Sequence, residues 1–543
     1  MSDFERMIGL DGPIAEQPPQ HRLRYYGSRL DAWWGQLMST AERRRLWRWG
    51  LPIAITLLAA FLRLWNLGHP RTLVFDETFY VKDAWSLWNL GYSSNWPENA
   101  NAAFAAGDPS TYLLTGSYVV HPPLGKWLIG LGMAIVGPGD PVGWRIATAV
   151  FGILAVVLLF LIAKKLFDST LLGGIAALLM AVDGNAIVMS RVALLDNFLM
   201  VFVLLAFGAI LLDREWTARR LAAWVFQQEK AGRDLLWGPV FWWRPWLIGA
   251  GIALGLASAV KWNGLYFLAF FAIYSLVSDV LARRRAGIEF WTMTIPLQGA
   301  ASFLLTVPLA VAVHMSTWAS WFTTTGGYDR TWAEAPGNAA TGILSWLPLP
   351  LQSWLHYQQA VYAYHVGEVR PHGYQANPLT WLFMVRPTSM FYESAELGQN
   401  GCTVDLCGSS ITGLANPLIW FAATAALGLL VYRVVRLRDW RAGLILTAVA
   451  AGYLPWLMYL NRTVFQFYTI AFEPFLLLGL TYALGTILGQ RDDHPDRRVS
   501  GLRTVGIYLG LVLLVSIYFW PLWTGMQIDY QYLRSHWWLP TWR

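Results

Sequence analysis

The chain has 543 residues, of which only 13% are charged, while 56% are hydrophobic and 32 are tryptophan. So few charges cannot cover a water-soluble surface, where about a quarter of residues are charged; the same numbers exclude a disordered chain, a collagen-like fibre and a small disulfide scaffold. The net charge of +7 does not point to nucleic acid either, because the basic residues gather at the ends of apolar stretches, where a membrane protein puts them.

Residues 1–49 are polar and basic, with no apolar h-region or small-residue cleavage site, so a cytoplasmic segment ahead of a signal anchor is expected. About eleven stretches then approach the roughly 20 apolar residues that a span needs. They lie near 50–67, 143–163, 170–188, 194–212, 245–260, 264–281, 293–313, 416–432, 442–459, 465–486 and 503–522. With the N-terminus inside, the inner segments hold Arg43-Arg44-Arg45, Lys164-Lys165, Arg219-Arg220 and Arg283-Arg284-Arg285, then Arg433, Arg436, Arg438 and Arg441, then Arg491, Arg497 and Arg498. Every inner loop is basic, which sets the orientation. An odd number of spans leaves the tail, 526–543, outside.

Two outer segments, 68–142 and 314–415, are too long for connectors, and long loops usually carry binding or chemistry. Within the first, Thr78–Leu90 and Pro123–Val136 are expected to be helices lying in the interface, since Leu124–Val136 is short for a span. The second loop holds the only two cysteines, Cys402 and Cys407. Outside the membrane these form either a disulfide or two free thiols. Two thiols with no nearby His pair make a poor zinc site. The chain shows no phosphate-binding glycine loop, no HExxH and no transporter-like repeat.

Chemistry concentrates at the outer ends. Asp76-Glu77 follows the first span by about ten residues. One carboxylate held against the membrane face is suited to general-base work; the plainer reading is an acidic helix N-terminus favoured by the helix dipole. His121-Pro-Pro-Leu-Gly-Lys126, Gly143-Trp144-Arg145, Arg191-Val-Ala-Leu-Leu-Asp196 and Lys261-Trp-Asn-Gly each put a basic or polar group at the outer end of an apolar stretch. Cations converging at one depth suit a lipid phosphate, whereas each one alone suits snorkelling to the headgroups. The second loop adds His365, Arg370, His372, Tyr374, Asn377, Trp381 and Arg386-Pro387.

In this order the motifs resemble those of the protein O-mannosyltransferases, integral-membrane glycosyltransferases of the GT-C class. The likeness continues through His372-x-Tyr374-x-x-Asn377-Pro378-x-x-Trp381-x-x-x-x-Arg386-Pro387 and Asn416-Pro417-x-Ile419-Trp420, and spans roughly residues 50–525. It is strongest to the bacterial, actinobacterial-type branch, and the second loop has no room for the β-trefoil domain of fungal members. The resemblance implies an all-α polytopic GT-C fold whose catalytic domain occupies 50–525. It implies inverting transfer of mannose from polyprenyl-phosphate mannose to Ser or Thr hydroxyls of secreted or membrane proteins. The reaction would run at the outer face of the plasma membrane, among membrane lipids and near the secretion translocon.

By the same resemblance Asp76 is the base, and Glu77 orients the peptide or the surroundings of Asp76. His121, Lys126, Arg145 and Arg386, with Arg191 and Lys261, are candidates for the donor phosphate, which needs cations rather than a protonating acid. His372, Tyr374, Asn377 and Trp381 belong to the acceptor side and hold the second loop over the site. No residue cluster calls for a metal or further cofactor, and metal dependence stays open. Two alternatives remain: a GT-C transferase with a lipid or polysaccharide acceptor, and a transporter of lipid-linked sugars. The transporter would need ionisable residues paired mid-span.

Overall fold

The computed structural model describes residues 28–490 and 493–543; residues 1–27 of the basic N-terminal segment, and Arg491, lie outside the described residues. Helical structure stands at each expected span. Among the described residues eight helices are long and apolar enough to cross a membrane: Ala41–Leu64, Pro141–Phe167, Asp196–Lys230, Gly264–Arg285, Trp291–Ser316, Pro417–Leu437, Trp440–Met458 and Pro495–Thr524. A bent pair, Thr170–Val182 and Gly184–Arg191, turns by 60° at Asp183 and makes a ninth. The expectation of eleven is not reached on this measure. Pro245–Val260 and Glu473–Leu488 have 16 residues each, about 24 Å of helix against a core of about 30 Å.

The bundle is organised around Asp196–Lys230. Of its apolar stretch 78% is buried inside the protein, against 11% for Ala41–Leu64, which therefore turns Ile53, Leu57 and Phe61 outward. Asp196–Lys230 packs on Pro141–Phe167, Pro245–Val260 and Gly264–Arg285. Lys261 takes extended backbone between the last two helices. The corner is so tight that a Cβ on Gly264 would lie 2.5 Å from the Ser258 nitrogen.

The two long loops contain most of the irregular structure. In the first, Glu77–Leu90 and Leu124–Val136 pack together near the predicted bounds, with a short helix Ala100–Ala105 between them. The second loop departs from an all-helical plan. Strands β1 (Thr388–Glu396) and β2 (Leu406–Gly413) pair antiparallel from Thr388↔Gly413 to Glu396↔Leu406, and β3 (Ile528–Asp529), from the tail, pairs with β2. Cys402 and Cys407 are joined by a disulfide near the tip of this hairpin. Trp542 Nε1 donates to the Met384 carbonyl at 2.7 Å, so the tail is part of the second loop's structure.

The helix Leu349–Gly367 clamps one loop to the other. The Tyr357 hydroxyl donates to the Val119 carbonyl at 2.6 Å and accepts from the Val119 N–H at 3.1 Å. Tyr118 donates to the Ala360 carbonyl at 3.0 Å. The basic segments gather at the other end of the bundle. There Lys165 pairs with Glu215 at 2.5 Å, Arg441 donates to the Leu166 carbonyl at 2.9 Å, and Arg498 binds Asp31 through Nε and Nη2. Buried charge also lies within the spans. Arg244 joins Asp213 and Asp279, and Asp183 and Glu473 share a polar cluster with Asn185.

Candidate active site

Asp76 and Glu77 are neighbours with different fates. Glu77 is fully buried. Its carboxylate accepts from Arg145 Nε at 2.8 Å and Nη2 at 2.9 Å, from the Val74 N–H at 3.0 Å and from the Ala193 N–H at 2.8 Å. Such a bidentate, backbone-supported pair is among the stronger buried arrangements. It ties the first loop to the segment after the bent helix pair. Glu77 therefore cannot touch a peptide; it is a positioning residue.

Asp76 stands at the N-cap of Glu77–Leu90, as an acidic helix start would, yet makes no side-chain cap hydrogen bond, so its carboxylate is not spent on the N–H groups of that helix. Phe75, just before it, has φ of +46°, a left-handed bend costing about 1–2 kcal/mol for a residue with a Cβ. The Phe75 ring is held edge-on by Phe465 at 5.5 Å, Phe467 at 5.7 Å and His372 at 5.9 Å. That cage fixes the bend and so aims Asp76. Burial pushes the Asp76 carboxyl up to about 6; Lys261 opposes the rise, Asp196 adds to it, and a hydrogen bond from Tyr80 opposes it. Burial raises the Tyr80 hydroxyl well above its usual range, which keeps it a phenol that donates to the carboxylate.

Next to this carboxylate lies a cleft of about 650 Å³, partly open to solvent, lined by Lys261, Asp196, His121, His365, Arg462 and Tyr468 among others. Lys261 Nζ lies 2.7 Å from Asp196 Oδ2 and 4.9 Å from the Tyr468 ring centre. His365 Nε2 lies 2.7 Å from the Val120 carbonyl. A carbonyl only accepts, so Nε2 carries the proton and Nδ1 accepts from Arg462 at 3.1 Å. Burial, with Arg462 second, lowers His365 to about 4. His121 stacks on His365 at 5.2 Å; burial first, then Lys261 and its other cationic neighbours, lowers it well below its usual range. Both imidazoles are neutral near pH 7. His121 thus offers a hydrogen bond rather than the cationic charge expected of it.

The other predicted phosphate cations are occupied. Arg145 gives its remaining donors to the carbonyls of Leu67, Pro70 and Thr72, leaving none for a ligand. Arg191 donates to the carbonyls of Leu62, Arg63, Trp65 and Asn66, closing the end of Ala41–Leu64. Arg386 binds the carbonyls of Gly373, Thr541 and Arg543, clamping the tail. Lys126 is buried and faces Asp83 at 3.5 Å. These four hold backbone or carboxylate in place and do not line the cleft; of the predicted phosphate residues Lys261 and the neutral His121 do.

The acceptor-side residues divide similarly. His372 packs on Phe75, and Tyr374 lies 4.9 Å beneath the Arg386 guanidinium. Asn377 caps the turn Pro378–Phe383. Trp381 is fully buried, with its Nε1 donating to the Ala376 carbonyl at 3.0 Å. The glycine of the Gly143-Trp144-Arg145 motif has a steric reason, since a Cβ there would collide with the Gly137 carbonyl.

Sequence reasoning passed over Arg462 and Tyr468 and gave Asp196 no site role. Arg462 carried the same signal as the cations it chose, a basic residue between two apolar stretches on the predicted outer side.

The family model for dolichyl-phosphate-mannose-protein mannosyltransferases matches residues 120–228, and that for the C-terminal four-span region of protein O-mannosyltransferases matches 350–542. A polyprenol-phosphate-mannose–protein mannosyltransferase of Mycolicibacterium smegmatis is 35% identical over 509 residues, covering 91% of this chain and 93% of that one. Enzymes of the same name from Mycobacterium tuberculosis and Corynebacterium glutamicum are 34% and 31% identical, covering 92% and 91% of this chain and 92% and 93% of theirs. The fold is similar to the Saccharomyces cerevisiae Pmt1–Pmt2 complex bound to the sugar donor, with a TM-score of 0.68, 15% identity, and coverage of 97% of this chain and 96% of that one.

Proposed function

The chain belongs to the protein O-mannosyltransferase family, and from that premise we propose how its cleft works. It is an enzyme of the GT-C class that transfers mannose from polyprenyl-phosphate mannose to a Ser or Thr hydroxyl of a polypeptide. The observation that carries the mechanism is the uncapped Asp76, held by burial at a pKa of about 6 beside Lys261 and the cleft. At neutral pH this carboxylate is ionised and still basic enough to accept a proton in the transition state.

The acceptor hydroxyl oxygen attacks the anomeric carbon of mannose as its proton passes to Asp76. The bond from that carbon to the phosphate oxygen breaks, and its electron pair leaves with the polyprenyl phosphate. Attack on the face opposite the leaving group inverts the anomeric centre. Arg462 and Lys261 supply positive charge where the phosphate gains it, and His121 adds a neutral hydrogen bond; such preorganised donors are effective in a site shielded from water. Burial first, then Lys261, Asp196 and Tyr80, set the charge state of Asp76. The basic helix ends support placing the N-terminus in the cytoplasm and the cleft, both large loops and the tail outside.

The test supplies radiolabelled polyprenyl-phosphate mannose and a Ser/Thr-Pro-rich peptide to membranes holding wild type or Asp76→Asn at equal protein level. Label on the peptide with wild type alone supports both the acceptor and the base. Label on a lipid or glycan in place of the peptide overturns the acceptor. Equal peptide labelling by both proteins overturns Asp76 as base.

A further inference from the structure

The bundle end farthest from Lys261 holds a second cleft, open to its surroundings, between Asp196–Lys230, Gly264–Arg285, Pro417–Leu437 and Trp440–Tyr453. Gly264–Arg285 runs from one cleft to the other over 22 residues, about 30 Å of helix. Five arginines and three aspartates line the second cleft. The aspartates are engaged: Asp213 and Asp279 with Arg244, and Asp439 with the Tyr482 hydroxyl at 2.5 Å and with the N-terminus of Trp440–Tyr453. Arg214 stacks on Trp440 at 3.9 Å and hydrogen-bonds Tyr274. Among the described residues, Arg284, Arg285 and Arg438 form no ion pair; Arg284 only stacks on Trp291, at 5.1 Å.

Apolar walls run inward from these arginines. Leu281, Val277 and Phe270 lie on one helix, with Leu446 and Ala450 opposite. From Leu281 to Phe270 is about 16 Å of helix, close to one leaflet's half of an approximately 30 Å core. A cationic mouth on an apolar stem of this depth matches a phosphate carried on an acyl chain, and guanidinium is well suited to phosphate. A free phosphate would have no use for the stem.

We propose that this cleft binds an anionic phospholipid from the leaflet opposite the candidate active site, with its phosphate on Arg284, Arg285 and Arg438 and one acyl chain along Leu281, Val277 and Phe270. Basic pockets between spans are the sites where anionic headgroups bind.

Native mass spectrometry of the full-length protein in detergent, titrated with phosphatidylglycerol, with phosphatidylcholine of the same chains, or with inorganic phosphate, tests this without any measurement of turnover. A failure here is therefore separate from a failure of the mannosyl-transfer reading. Wild type is expected to prefer phosphatidylglycerol, and millimolar inorganic phosphate is expected to leave it bound. The variant Arg284→Gln/Arg285→Gln/Arg438→Gln should lose roughly fivefold in affinity per arginine at low salt, while the three-lysine variant keeps most of the binding. Val277→Trp, which leaves the arginines intact and fills the stem, should also lose the lipid. Equal binding of the two lipids, displacement by inorganic phosphate, or wild-type affinity in the three-glutamine or Val277→Trp variants would each overturn the proposal.

Discussion

Arginine gathers at both ends of the helix bundle and is used differently at each. At the end bearing Asp76, Arg145 and Arg191 turn their donors onto backbone carbonyls and Glu77. Arg386 does the same for the tail. Only Lys261 and Arg462 face the cleft there. At the opposite end Arg284, Arg285 and Arg438 face open space. Irregular loops leave many carbonyls without helical partners, and a buried carbonyl without a donor is costly. The site end consists largely of such loops, so most of its arginines serve as scaffold. At the other end some arginines close helix ends in the same way, as Arg441, Arg497 and Arg498 do, while Arg284, Arg285 and Arg438 form no ion pair among the described residues and line the second cleft.

The comparison can be broken from its catalytic side first. Asp76→Asn should lower turnover by a factor on the order of 10²–10⁴, the usual contribution of a general base, with little change in thermal unfolding; initial rates at saturating donor measure it. Next, Glu77→Gln or Arg145→Met alone strands a buried charge and should cost about 3–5 kcal/mol. The double replacement should recover part of that loss. Thermal unfolding in detergent reads the difference, and additive losses would contradict the pairing.

Arg462→Ala should raise the KM for donor roughly 10- to 100-fold, the worth of one charged hydrogen bond, and leave the unfolding midpoint nearly unchanged. Arg191→Ala should do the reverse. If both moved the same quantity, the division between scaffold and ligand cations would fail. The smallest effect is in pH. With the Asp76 carboxyl at about 6, protonation removes the base, so kcat/KM should fall about tenfold per unit below that pH and level off above it. Asp196→Asn removes a like charge and should move the midpoint down; Lys261→Met removes the opposing cation and should move it up. A midpoint indifferent to both would detach Asp76 from the profile.

What the sequence made legible follows from which signals are local. Spans, the interfacial pair and the Asp76-Glu77 placement are local in composition and emerged near their observed bounds. The sheet did not, because β2 finds one of its partners in a strand more than a hundred residues away, at Ile528–Asp529. Cation roles were legible only by type. Nothing near Arg145 in sequence says that Glu77 and three carbonyls will absorb its donors. Nothing near Arg462 says that His365, 97 positions earlier, will receive one of its own. The expected span number and the count by length part only where a helix is apolar but short, as in Pro245–Val260 and Glu473–Leu488.

The third strand also sets an order of biogenesis. β2 and Arg386 acquire their last partners from residues that follow Pro495–Thr524, with 155 positions separating Arg386 from Thr541. The second loop, which lends His365 to the cleft, therefore cannot finish folding until the residues after the final long helix are in place. A chain stalled before that step would carry Asp76 but an unfinished hairpin, so incomplete synthesis shows first at β2 and Arg386.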